Sequence, residues 1–278
     1  MINRESVAGR IAKFIFLGTW LIITLFPLYW IVVTSLKSPG MIFKFPLEYW
    51  PTEISFDNFI GLFSKADFGT YMFNSLFAAT MTATVVTLIS LLAGYILARF
   101  EFKSKGAVLG AFLVTQMIPA FIALGPLYNM MSDLGLVDTR GGLIVVYIAI
   151  SIPFSTIMLR GFFANIPDAL EEAAMIDGCS RIGALFRVLV PVMLPGIMAT
   201  FIFSFVNSWN ELFLSVTLMN SDSNKTIPTA LNGFITSFNI EWGPMAAAAV
   251  LTVIPTLVMF AFASKYIVQG LTAGAVKG

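Results

Sequence analysis

The chain contains no histidine and only one cysteine, Cys179, among its 278 residues. Without histidine, neither a histidine metal site nor a Ser-His-Asp triad can be built. A single cysteine excludes a disulfide within the chain. The phosphate-binding pattern G-x-x-x-x-G-K-[ST] is also missing, so we expect no nucleotide or metal cofactor on this chain. The usual routes to an enzyme active site are therefore largely closed.

Charge is also scarce, because only 11% of the residues are charged and the net charge is +1. This balance gives no reason to expect nucleic acid as a partner. In contrast, 58% of the residues are hydrophobic and the mean hydropathy is +0.89, well above the range of soluble domains. The sequence predicts an integral membrane protein.

Six apolar runs are each long enough to cross a bilayer as a helix. The first follows three basic residues, like a signal peptide, but it is too long and has no small-residue cleavage site, so we interpret it as an anchor. We predict an all-α membrane protein, with residues 1–278 forming one membrane domain. The predicted spans are 11–36, 71–98, 106–131, 141–163, 190–218 and 245–268.

The distribution of basic residues predicts the orientation of these spans, since lysine and arginine favour the cytoplasmic side. If the amino terminus is inside, eleven of the 16 lysines and arginines lie in inside segments. Both termini are therefore predicted to be cytoplasmic, as is the segment between the fourth and fifth runs. The longest outside loop, 37–70, is rich in aromatic residues, which favours a segment lying at the membrane interface and a docking surface.

The segment 165–189 between the fourth and fifth runs is too short and too polar to span the membrane. Pro167 suits a first helical turn, Asp168 and Glu171 form a plausible capping box, and Gly178 can end the helix in a left-handed conformation. Ser180 can then cap a second helix. These signals predict a short helix over 168–177, although an ordinary charged loop is the alternative from this pattern alone.

The segment resembles the coupling motif of ABC importer permeases. Glu172-Ala173-Ala174, Asp177-Gly178 and Val188-Leu189-Val190-Pro191 are similar to that family's E-A-A, D-G and I-x-L-P pattern. The resemblance implies a type-I-like transmembrane domain whose short cytoplasmic helix docks on an ATPase subunit. The residues that it implicates in coupling are Glu171, Glu172, Ala173, Ala174, Asp177, Gly178 and Pro191.

A second resemblance is to carbohydrate permeases of the maltose type, through Ile227-Pro228, Trp242-Gly243, 246–249 and the terminal 270–278. It implies a second, nonidentical permease, two subunits that bind ATP and magnesium, an extracytoplasmic solute-binding protein and a prokaryotic inner membrane. It also implies that the tail can reach the ATPase interface. That tail comprises Ala275, Val276, Lys277 and Gly278.

Within the fifth run, polar residues recur every three or four positions, so they share one face of a continuous helix. This stripe, with the neighbouring Asn210, forms a candidate substrate path, because an ionisable side chain in a membrane helix requires a partner or water. Hydrogen bonding between helices is the alternative role. The candidate path residues are Ser204, Asn207, Asn210, Glu211 and Ser215.

The sequence thus favours a permease subunit that forms half of the path of an ATP-driven carbohydrate importer. Two other classes remain open. One is a self-contained secondary transporter or channel in which Glu211 is an ion or proton site. The other is a membrane scaffold that moves no solute, and both leave the coupling motif unexplained.

Overall fold

The computed structural model describes residues 6–65, 67–234 and 240–275, with side chains omitted for 8, 65, 120 and 263–275. All the secondary structure elements of these ranges are helices. In addition to the α-helices, there is one π-helical turn, Leu185–Leu189, and one 3-10 turn, Asp222–Asn224. The α-helices are α1 Val7–Ser35, α2 Pro39–Ile42, α3 Asp57–Lys65, α4 Phe68–Arg99, α5 Lys105–Met117, α6 Ala120–Asp133, α7 Arg140–Ala164, α8 Asp168–Ile176, α9 Arg181–Ala184, α10 Val190–Val192, α11 Leu194–Trp209, α12 Phe213–Leu218, α13 Ile227–Gly233 and α14 Trp242–Ala275.

Four helices of the described ranges are long and apolar enough to cross a membrane, and there are up to six spans if each of two bent pairs is counted as one. The four are Gly9–Ser35, Phe68–Arg99, Arg140–Ala164 and Trp242–Phe262. An all-helical membrane protein with several spans is therefore confirmed. The first bent pair matches the third predicted span, and the second overlaps the fifth but begins and ends nine residues earlier.

The predicted run 106–131 is two helices, because Lys105–Met117 and Phe121–Asp133 meet at 106°. Ile118 lies between them with extended backbone angles, φ −80° and ψ 118°, and Pro119 caps the second helix. A residue that precedes proline is biased away from helical angles by the proline ring. Hydrophobic periodicity does not detect this break, since both halves are apolar.

The predicted run 190–218 is also interrupted. Arg181–Val192 and Leu194–Trp209 are inclined by 77°, with Pro191 and Pro195 in the first turns of α10 and α11. Proline has no amide hydrogen to donate to the preceding turn, which favours a helix start at these positions. A second break separates α11 from α12 at 210–212.

The chain forms two compact units, one built from 1–68 and 231–254 and the other from 69–230 and 255–278. In the second unit, α4 and α7 approach closely at Gly94. A β-carbon there would lie 2.9 Å from the Arg160 amide nitrogen and 3.1 Å from the Leu159 β-carbon. Small residues allow such contacts between apolar helices. Hydroxyl pairs join the same helices and α11, with Ser90 and Thr156 at 3.2 Å and Ser155 and Ser204 at 3.2 Å.

The first unit contains a buried lysine that fixes part of the predicted outside loop. Lys37 is 1% exposed, donates to the Glu48 carbonyl oxygen at 2.5 Å and lies 4.9 Å from the centre of the Trp30 ring. Asn58 donates to the carbonyl oxygens of Ser35 and Lys37. These bonds give the beginning of the predicted outside loop a fixed structure.

Candidate functional site

The short helix α8 ends as the sequence predicted. Gly178 has φ +90°, in the region that favours glycine, and its amide donates to the Met175 carbonyl at 3.1 Å. The Cys179 amide donates to the Ala174 carbonyl at 3.0 Å. Ser180 then caps α9 by accepting a hydrogen bond from the Gly183 amide at 3.1 Å. Both of these local predictions are confirmed.

The predicted capping box at the start of α8 is wrong. Pro167 is the capping position and makes no side-chain capping bond. The carboxylates of Asp168 and Glu171 instead pair with Arg99, at the end of α4, which also donates to the Ile166 carbonyl at 2.9 Å. A fixed cation beside the helix offers charge-assisted contacts that are stronger than a capping bond to a neutral amide.

Glu171 is the centre of a buried polar cluster at this position. It is 5% exposed, accepts a hydrogen bond from the Tyr95 hydroxyl at 2.5 Å and lies 3.3 Å from Arg99 Nε and 3.6 Å from Arg181 Nε. Three elements thus meet at one carboxylate, namely α4, α8 and α9. The cluster joins the base of α8 to the end of a long apolar helix.

The outer face of α8 and its flanks carry most of the other predicted coupling residues. Glu172, Ala173, Asp177 and Gly178 are exposed, as is Pro191 on α10, whereas Ala174 is 8% exposed and faces inward. Glu171 differs from this group because its carboxylate is enclosed. The structure therefore separates the two adjacent glutamates, one turned inward and one outward.

Two exposed isoleucines next to these residues were missed by the motif reading. Ile176 is 86% exposed and Ile182 is 70% exposed. The sequence signal that could have identified them is their position on either side of Asp177-Gly178, where neither isoleucine belongs to an apolar stripe. We define the docking face as Glu172, Ala173, Ile176, Asp177 and Ile182.

The tail that was predicted to contact the ATPase lies almost entirely outside the described residues. Ala275 is the last residue of α14, and nothing is described of its side chain. Val276, Lys277 and Gly278 lie outside the described residues.

The predicted polar stripe divides at the break between α11 and α12. Ser204 is fully buried and pairs with Ser155, and Ser215 is fully buried between Thr226 and Thr229 at 2.6 and 2.8 Å. Asn210 is exposed and donates to the Val206 carbonyl. The expectation of one continuous helical face is wrong, because α11 ends at Trp209 and the Glu211 carboxylate accepts hydrogen bonds from first-turn amides of α12.

Asn207 and Glu211 remain together, at a cavity of about 240 Å³. Glu211 accepts hydrogen bonds from the amides of Leu214 at 3.0 Å and Ser215 at 3.1 Å, and from the Tyr147 hydroxyl at 3.3 Å. Sequence reasoning did not identify the other lining residues, which come from α5, α7, α11 and α12. They include Gln116 on α5, Ser151 and Phe154 on α7, and Phe203 on α11.

Comparison with known proteins identifies the family of the chain. Residues 90–272 match the family model described as binding-protein-dependent transport system inner membrane component. The chain is 35% identical to the sulfoquinovosyl glycerol transport system permease protein SmoH of Agrobacterium fabrum over 98% of its length and 95% of that protein. It is 36% identical to the diacetylchitobiose uptake system permease protein DasC of Streptomyces coelicolor, over 99% of this chain and 100% of that one.

The fold is also that of a solved transporter. A chain from a bacterial ABC transporter involved in the import of the acidic polysaccharide alginate aligns with a TM-score of 0.82 at 20% identity, over 96% of this chain and 99% of that one. The trehalose/maltose permease protein MalG of Thermococcus litoralis is 34% identical over 99% of both chains. This chain therefore belongs to the family of inner membrane components of binding-protein-dependent transport systems, the permease subunits of ABC importers.

Proposed function

We propose that this chain moves a carbohydrate inward across a prokaryotic inner membrane by forming half of a path whose opening is driven by separate ATPase subunits. A saccharide substrate is supported by the relatives of the chain, whose names give sulfoquinovosyl glycerol, diacetylchitobiose and trehalose or maltose as the transported compounds. In this proposal each bent pair counts as one span. The chain then crosses the membrane six times, with both termini in the cytoplasm, as the bias in basic residues favours.

The observation that carries the coupling mechanism is the opposite orientation of two adjacent glutamates. Glu171 is enclosed by Tyr95, Arg99 and Arg181, so α8 is held firmly to the end of α4. Glu172 projects outward on the docking face. A helix that is clamped on one side and open on the other can be moved by a partner and can transmit that movement.

The proposed partner of the docking face is an ATPase subunit. Glu172 and Asp177 provide charged contacts, Ala173 permits close approach, and Ile176 and Ile182 provide apolar area. The complete importer contains a second permease, a pair of ATP-binding subunits and an extracytoplasmic solute-binding protein. Ala275 to Gly278 form a further proposed contact with the ATPases.

Asn207 and Glu211 are the proposed substrate-path residues on this chain, because they alone of the predicted set line the cavity. The proposed role of Ser204 and Ser215 is to hold the helices around the path together through their buried hydroxyls. Asn210 lies beside the break between α11 and α12.

The test is uptake by a reconstituted complex. The complete importer is placed in vesicles with ATP trapped on the ATPase side, and a panel of labelled saccharides is offered with the solute-binding protein. We expect ATP-dependent accumulation of at least one saccharide by the wild type and a loss of more than tenfold with Glu172→Lys. Glu101→Lys, at an exposed glutamate between α4 and α5 that lies outside the docking face and the cavity, is the control and keeps its uptake. Uptake without ATP, or no uptake of any saccharide, contradicts the proposal.

A further inference from the structure

The cavity beside Glu211 has an unusual balance of hydrogen-bonding groups. The carboxylate of Glu211 receives hydrogen bonds only from neutral donors in the described structure, namely two backbone amides and the Tyr147 hydroxyl. No lysine or arginine is among the side chains described as lining the cavity. The cavity therefore contains an anionic group whose charge is not offset by a neighbouring cation.

The bonds of Glu211 leave one oxygen with spare capacity. Oε2 accepts from Leu214, Ser215 and Tyr147, whereas Oε1 accepts only from the Leu214 amide. A carboxylate oxygen can accept two hydrogen bonds. Oε1 is therefore the oxygen that can receive a donor from a molecule in the cavity.

Asn207 adds a second acceptor to the same wall. Its side-chain nitrogen donates to the Phe203 carbonyl at 2.8 Å, whereas no bond to its side-chain oxygen is described. An amide oxygen accepts hydrogen bonds and cannot donate them. Glu211 and Asn207 thus both favour a ligand that presents hydrogen-bond donors.

An aromatic surface completes the cavity. The rings of Phe154 and Phe203 stack with centres 4.3 Å apart and an angle of 27°, and they remain 38% and 40% exposed. Gln116 and Ser151 contribute the remaining polar groups from α5 and α7. A cavity of about 240 Å³ lies below the range of about 300 to 1,000 Å³ that drug-sized ligands occupy. It suits one sugar ring at a time, with the apolar face of the ring against the phenylalanines.

We infer that this cavity is a polarity filter, which accepts saccharide rings presenting hydroxyl or amide donors and rejects rings carrying carboxylate or sulfonate groups. An acidic ring brings a negative charge toward Glu211 and presents further acceptors to the oxygens of Glu211 and Asn207. Unpaired acceptors and like charges at close range provide discrimination without added affinity for the preferred ligand. The inference rests on the proposed function, because it names the substrate class that the same path admits.

The test measures binding to the purified permease complex in lipid nanodiscs, with neither ATP nor solute-binding protein present. The probes are three neutral disaccharides, maltose, trehalose and diacetylchitobiose, and one acidic disaccharide, digalacturonic acid. We expect the wild type to bind at least one neutral probe about tenfold or more tightly than the acidic probe, the scale that a modest charge repulsion produces. Glu211→Gln, which keeps an oxygen to accept from the Leu214 amide, should reduce this ratio by about tenfold.

A second variant separates hydrogen bonding from folding. Asn207→Leu should weaken neutral binding by about tenfold. Thr217→Val is its control, because Thr217 also bonds to the carbonyl four residues earlier but lies outside the cavity, and it should leave binding unchanged. Melting temperatures within a few degrees of wild type establish that the variants are folded.

Equal binding of neutral and acidic probes, a ratio unchanged by Glu211→Gln, or no neutral probe bound at all overturns the inference. These outcomes are distinct from failure of the proposed function, which is judged by ATP-dependent uptake in vesicles. A complex that transports saccharides but shows no charge discrimination in binding would retain the function and lose the filter.

Discussion

At the scale of single residues, neighbours in the sequence have unlike roles because of the direction in which each side chain points. Glu171 and Glu172 belong to the same motif, yet the first is enclosed by three partners and the second is exposed. Removing the first leaves Arg99 with one of its two carboxylate partners, whereas removing the second changes only the outer face. Stability and docking are therefore assigned to adjacent positions.

Gly178 allows a sharp test of backbone conformation. A β-carbon at Gly178 or at Gly161 meets nothing within 4 Å, but only Gly178 has a positive φ. We expect Gly178→Ala to lower the free energy of unfolding by about 1–2 kcal/mol, the cost of left-handed angles for an L-residue. Gly161→Ala should be neutral or slightly stabilising, because it replaces glycine inside a helix. Thermal unfolding of the purified chain compares them, and equal melting temperatures would show that φ at Gly178 is not restrictive.

Local signals explain which residue-scale predictions succeeded. The stop at Gly178 and the cap at Ser180 depend on residues within one helical turn, and the sequence contains that information. The Tyr95 to Glu171 bond joins residues 76 positions apart, and nothing in the periodicity of either helix indicates it. The capping box failed for the same reason, since Arg99 is remote in sequence and adjacent in space.

At the scale of helices, packing between α4, α7 and α11 uses small residues and buried hydroxyls. Lipid tails are as apolar as the side chains, so the hydrophobic effect does not drive these helices together. Close van der Waals contact and hydrogen bonds between the helices stabilise the association instead. Gly94 lies against the α7 backbone, and Gly196 lies where a β-carbon would be 2.6 Å from the Phe162 ring. These contacts set the distance between the helices that support α8 and the cavity.

Gly94→Ala tests this packing. Its added carbon would lie 2.9 Å from the Arg160 amide nitrogen, a backbone atom that cannot turn aside, so α4 and α7 must separate. We expect a loss of about 1–3 kcal/mol in the free energy of unfolding, the usual cost of overpacking. Gly161→Ala is again the control, since the same change is made in open space. A Gly94→Ala protein as stable as wild type would mean that the two helices are not in close contact.

Prediction of the helices from sequence succeeded where an apolar run is unbroken. The runs at 11–36, 71–98, 141–163 and 245–268 each coincide with one long helix. The other two runs are apolar on both sides of their bends, so hydropathy does not detect the bends. The information lay instead in single residues, with Pro119 restricting Ile118 at the first bend and with Pro191 and Pro195 on either side of the second.

At the scale of the whole molecule, the described part of the chain leaves much of its apolar surface uncovered. Over its most apolar window, α1 buries none of its residues, and Phe14 and Ile22 are 76% and 69% exposed. Lipid covers such surface in a membrane, and a second permease is the proposed additional partner. Composition predicted that the chain is an integral membrane protein. The hydropathy of one chain does not indicate which other subunits it assembles with.

The measurement that tests the central claim most directly is copurification of the intact chain in mild detergent from its native cells. It compares wild type, Glu172→Lys and the control Glu101→Lys by mass spectrometry and ATPase activity. The account predicts an ATPase and a second permease with wild type and with Glu101→Lys, and loss of the ATPase alone with Glu172→Lys. Recovery of a stable wild-type protein without any ATPase, or full ATPase recovery with Glu172→Lys, would contradict the assignment of the docking face.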